Sequence, residues 1–90
     1  MLTNVKGAEA NCGTDAAGAS TFGSATVVRV VNTGTTNRLV TIIDEVGGST
    51  TIGTFTLVGG VTEFVEKKST EAIFAANASV KGTAVGYGYQ

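Results

Sequence analysis

The sequence predicts an all-β protein: a small antiparallel β-sandwich or barrel of about six strands, preceded by an extended N-terminal arm. Three observations predict it. Short runs rich in valine, isoleucine, threonine and phenylalanine recur about every ten residues, separated by glycine, asparagine and aspartate. Within the runs, apolar residues alternate with a period of two rather than 3.6. Proline is absent and helix signals are scarce.

Residues 1–24 form the first zone, small and polar, with "GAEANCGTDAAGASTFGS" at 7–24 holding a single large apolar side chain, Phe22. Such a stretch carries too little apolar surface to offset a backbone ordering cost of roughly 1–2 kcal/mol per residue. It is therefore expected to be an arm that a neighbouring chain holds through backbone hydrogen bonds. The second zone, 25–90, is the β domain.

"ATVVRVV" (25–31) is the first strand, and "NTGTTN" supplies its turn through Asn32 and Gly34. "RLVTII" (38–43) is the second. "DEVGGS" brings paired glycines that accept positive φ at no steric cost. "TTIGTFTLV" (50–58) is the third strand and "VTEFVE" (61–66) the fourth, with Gly59 and Gly60 between them. "EAIFAA" (71–76) reads as a fifth strand, although Ser69 or Thr70 could instead cap a short helix over 70–80. "GTAVGYGY" (82–89) is the sixth.

Both faces of the first two strands are largely apolar. Val28 and Val30 oppose Val27, Arg29 and Val31; Val40 and Ile42 oppose Leu39, Thr41 and Ile43. A strand with one wet face alternates apolar with polar, so these strands are expected to be covered on both sides, by the fold or by another chain. The last strand sets Val85, Tyr87 and Tyr89 against a flat glycine face at 86 and 88, open to close approach.

Ninety residues support one domain, which buries only ~60–65% of the surface of its unfolded chain. A single cysteine, Cys12, excludes a disulfide within the chain, and with no histidine a zinc site is not expected. The support is then expected to come from a partner subunit. The formal charge of −1 and the lack of a basic cluster beyond Lys67-Lys68 argue against nucleic acid. No apolar run approaches the ~20 residues of a membrane span, and "MLTNVKGAEANC" has no signal-peptide core. The chain is expected to be made and kept in a cytoplasm, or assembled there.

The chemistry of a catalytic site is also missing. Without histidine neither a Ser-His-Asp nor a Cys-His arrangement can be built. Asp44-Glu45 and Glu63/Glu66 point to opposite faces of a strand. With Asp15 and Glu71 they could offer oxygen ligands to calcium, yet no D-x-D-x-D-G loop exists. Lys67-Lys68 reads as a solvated turn and Cys12 as a small buried or incidental thiol. No enzyme activity, cofactor or metal is expected. Tyr87 and Tyr89 admit one alternative, a sugar-stacking platform.

Strand edges without proline and with few charges need cover. At this point the chain resembles the short β-rich virion proteins of tailed bacteriophages, including those of marine cyanobacterial phages. The resemblance lies in "VVRVVNTGTTNRLVTI" and "GTFTLVGGVTEFVEKKSTEAIFA", histidine-poor and rich in threonine, glycine and alanine. It implies a capsid decoration (cement) protein of the virion, expected to stabilise the particle by bridging capsid subunits with the arm at 1–24, or a neck, tail or fibre component. The implied partners are the major capsid protein or other virion subunits, with a homo-oligomer or many copies per particle. The contact residues expected are Val5, Ala8, Ala10, Ala16, Ala17 and Phe22 of the arm, with outer-face Val31 and Leu39.

Overall fold

The computed structural model describes residues 3–87. Among them are eight strands and no helix: β1 (Thr3–Val5), β2 (Ala10–Asn11), β3 (Val27–Asn32), β4 (Arg38–Ile43), β5 (Thr51–Leu57), β6 (Thr62–Glu66), β7 (Ala72–Ala75) and β8 (Val80–Tyr87). They form two antiparallel sheets, one ordered β1-β8-β3-β6 with β2 also on β8, the other β5-β4-β7. The segment that could have been helical is strand β7, because Ile73 and Ala75 pair with Ile42 and Val40 on the inner face of β4.

The two sheets close on a shared core. Val28, Val30 and Val80 come from the larger sheet, and Val40, Leu57, Ile73 and Ala75 from the smaller; all are fully buried. The period of two explains this directly, since every second residue of β3 points inward, giving alternating half-buried and buried positions. One polar side chain joins them. Asn32, at the end of β3, is fully buried, and its Nδ2 donates to the carbonyls of Thr36 and Leu57 at 2.8 and 3.0 Å. Its Oδ1 accepts from the Gly34 amide at 3.0 Å and from Ser79 Oγ at 3.4 Å. A turn residue in the sequence thus acts as a cross-sheet tie.

The N-terminal zone corrects the expectation of an arm outside the folding unit. β1 and β2 together form a broken edge strand on β8. Val5 pairs with Val85 and Ala10 with Gly82, so five steps along the edge match three along β8, and the excess bulges out. Cys12 donates its amide to Val80 and is fully buried in the core. Gly13 accepts from the Ala75 amide at 3.0 Å, and Ser20 exchanges two backbone bonds with Ile73. Ala16 and Ala19 then lie over Ile43, Ala72 and Phe74 on the outer face of the small sheet. The segment is held by its own domain.

This also accounts for the two-sided apolar strands. The outer face of β4 is covered at Ile43 by the 13–20 loop, while Leu39 at its other end is 49% exposed. On β3, Val27, Arg29 and Val31 are half-buried between the flanking strands β6 and β8. Of the glycine face expected at 86 and 88, Gly86 receives the Lys6 alkyl chain and residue 88 lies outside the described residues; Gly82, further back in β8, receives the Phe22 ring.

Candidate functional site

The eight residues expected to contact a partner do not form one patch. Val5 stands exposed on β1 and lines a shallow cleft of about 470 Å³ with Arg29, Phe64, Thr83 and Val85. Glu9 lines it too, with its carboxylate 3.7 Å from the Arg29 guanidinium. Both groups are well exposed, so this pair adds little stability. Ala8 and Ala10 are exposed and line a second, larger cleft of about 820 Å³, between the β1–β2 edge and the 20–27 turn. Ala17 is exposed and Ala16 is half-buried over the small sheet. Val31 and Leu39 lie on different sheets, the first half-buried and the second open.

Phe22 is a correction: its side chain is buried in the core rather than offered to a partner. The turn that carries it is unusual. Phe22, Gly23 and Ser24 all have positive φ, at 54°, 68° and 60°. Left-handed backbone costs a non-glycine residue roughly 1–2 kcal/mol, which burial of the ring offsets. Thr21 fastens the turn, accepting the Ala25 amide at its carbonyl and the Ser24 amide at Oγ1.

Lys67 is a second correction. It is buried rather than a solvated turn residue, and its ammonium donates to the carbonyls of Ala25 at 2.6 Å and Lys68 at 3.3 Å. Desolvation lowers its pKa, opposed by the nearby Glu71 carboxylate. Glu71 in turn accepts the Lys68 amide at 2.8 Å. The cluster clamps the end of β6 to the turn before β3. Cys12 is inert by environment, because burial pushes its thiol pKa up to about 12 and leaves almost no thiolate at neutral pH.

Among the described residues, no three His, Cys, Asp or Glu side chains converge as metal ligands. No helix there is long and apolar enough to cross a membrane. The side chains of Tyr87 and Tyr89, the possible sugar platform, lie outside the described residues.

What sequence reasoning missed is a set of open apolar side chains outside the N-terminal zone. Val46, Ile52, Val58, Val61 and Phe64 are exposed, mostly on β5, β6 and the adjoining turns. For Ile52, Val58 and Val61 the signal was present in "TTIGTFTLVGGV", a run of apolar residues, threonine and glycine with no charge. No family model, curated protein or solved structure matches this chain.

Proposed function

We infer that the chain is a non-enzymatic structural protein of a phage virion, a capsid decoration (cement) protein acting in many copies against the major capsid protein or other virion subunits. The observation that carries this reading is the surface. A 90-residue sandwich leaves Val5, Leu39, Val46, Ile52, Val58, Val61 and Phe64 open to solvent, alongside strand edges free of proline. The virion-like texture of 25–90 supports the same reading. Because residues 3–24 are engaged in the sandwich, contact with the shell runs through these faces and the N-terminal rim at Val5, Ala8 and Ala10. Each contact is weak, and repetition over many subunits makes them collectively strong.

Phage particles assembled with and without the chain, heated in parallel, test this. A cement protein raises the disruption temperature, and the folded variant Leu39→Glu incorporates less well than wild type. Equal disruption temperatures would remove the cement role and favour a neck, tail or fibre component.

A further inference from the structure

The sheets present four edges, and three of them are guarded. The free side of β7 is taken by Ser20, which exchanges backbone bonds with Ile73, and by Gly13, which accepts from Ala75. The β1–β2 edge is two short pieces separated by a bulge. β6 carries exposed Glu63 and Glu66. The fourth edge is β5, seven residues long, which among the described residues pairs on one side only, with β4. No charged residue occurs from Val46 through Thr62. A long uncharged edge is a template for another strand.

We propose that β5 pairs antiparallel with β5 of a second copy of this chain, across a two-fold axis at Phe55. The sequence is self-complementary about that point, since Thr54-Phe55-Thr56 reads the same in both directions. An antiparallel pairing centred there sets Thr54 opposite the second copy's Thr56, twice, on the exposed face. β-branched and aromatic cross-strand pairs are the favourable ones. Phe55, packed against the core but only partly buried at the sandwich margin, meets its own symmetry mate.

The same centre sets Ile52 opposite the second copy's Val58. Both are exposed, 54% and 49% open, and the register that pairs the threonines brings them together at each end of the contact. The irregularity at Ile52, where β5 slips against Ile42 and Ile43, confines the regular ladder to Gly53–Leu57, so Ile52 and Val58 meet through their side chains just beyond its ends. An isologous contact of this kind closes at two copies, joining the small sheets into one of six strands. The inference does not rest on the virion reading, and in a dimer Val5, Leu39, Val46, Val61 and Phe64 remain as the exposed apolar side chains.

Sedimentation of the full chain over a concentration series tests it, with two double variants at exposed positions of β5. Wild type is expected to dimerise. Thr54→Lys/Thr56→Lys and Thr54→Glu/Thr56→Glu each set like charges opposite one another, and each is expected to be a monomer with unchanged far-ultraviolet circular dichroism. Mixing the two variants is expected to restore a dimer, because each lysine then faces a glutamate. A wild type that stays monomeric into the millimolar range would overturn the proposal. So would a dimer that survives in both charged variants, or a mixture that fails to pair.

Discussion

The tip of the Phe22 ring rests on Gly82: a β-carbon at that glycine would stand 2.5 Å from Cζ and 2.8 Å from one Cε. Gly82 lies in β8, paired with Ala10 on one side and Val30 on the other. The contact therefore joins the turn at 20–25 to the middle of the larger sheet. It explains both a buried phenylalanine held at positive φ and a glycine in the interior of a strand.

Gly82→Ala is expected to destabilise the fold by about 1–3 kcal/mol, since the ring must move to admit a methyl group. Phe22→Ala is expected to cost about 3 kcal/mol through lost burial and a residual cavity. The two losses overlap. In the double variant the alanine methyl enters space the ring has left, so the combined cost falls below the sum. Urea unfolding of the three variants measures the coupling; strict additivity would mean that the two residues do not touch.

Ser24 offers the opposite sign. It is exposed at φ 60°, and the hydrogen bond its backbone amide donates to Thr21 Oγ1 does not involve its own side chain. Ser24→Gly relieves left-handed strain and keeps that bond, and is expected to raise stability by about 0.5 kcal/mol after the entropic cost of glycine. A small upward shift of the urea midpoint at unchanged slope is the expected readout.

Asn32 is expected to be the most sensitive polar position. Asn32→Ala removes four hydrogen bonds and leaves the buried Leu57 carbonyl without its side-chain donor, costing about 2–4 kcal/mol. Equilibrium unfolding compares it with Asn77→Ala, which loses one local bond to the Ser79 amide and is expected to cost about 1 kcal/mol or less.

Lys67 gives the pH dependence. Desolvation lowers its folded pKa below the 10.5 of the free side chain, the Glu71 carboxylate opposing only in part. The unfolded chain thus binds this proton more tightly. The penalty of burying the ammonium is fully present at neutral pH. It is relieved as pH rises through the folded value toward 10.5, so this group's contribution to stability increases with pH in that alkaline window. Lys67→Met cannot show the effect. The stability of wild type relative to Lys67→Met, measured by denaturation from neutral pH to 10.5, is expected to rise; a flat difference would show a solvated ammonium.

The six longer strands were legible because β-branched residues, alternation and turn residues mark them locally: Val28 and Val30 read as inward before any partner was known. β1 and β2 were not legible, since strands of three and two residues carry no period. The N-terminal zone looked coreless for a related reason. Cys12, Ala19 and Phe22 are irregularly spaced, and their burial comes from distant neighbours: the amide of Cys12 reaches Val80, Ala19 packs on Ile43 and Ala72, and Phe22 on Gly82. Gly86 did announce a close approach, but by the Lys6 side chain of the same chain rather than by a foreign backbone. Lys67 was misread because nothing in Glu66-Lys67-Lys68 tells which lysine turns inward. Of the expected contact residues, Val5, Ala8, Ala10, Ala17 and Leu39 are exposed, and Phe22 is spent on the core.

Residues 3–24 close the sandwich of their own chain, and amide hydrogen exchange on the isolated protein decides whether they do so without a partner. Protection is expected at Lys6, Cys12, Ser20 and Ala25, whose amides donate to Ala84, Val80, Ile73 and Thr21, and at Ala75, which donates to Gly13. Cys12 should resist thiol reagents in the same sample until the chain unfolds. Fast exchange across the whole of 6–25, with β3 and β4 still protected, would contradict the account and return the segment to the status of a loose arm awaiting a partner.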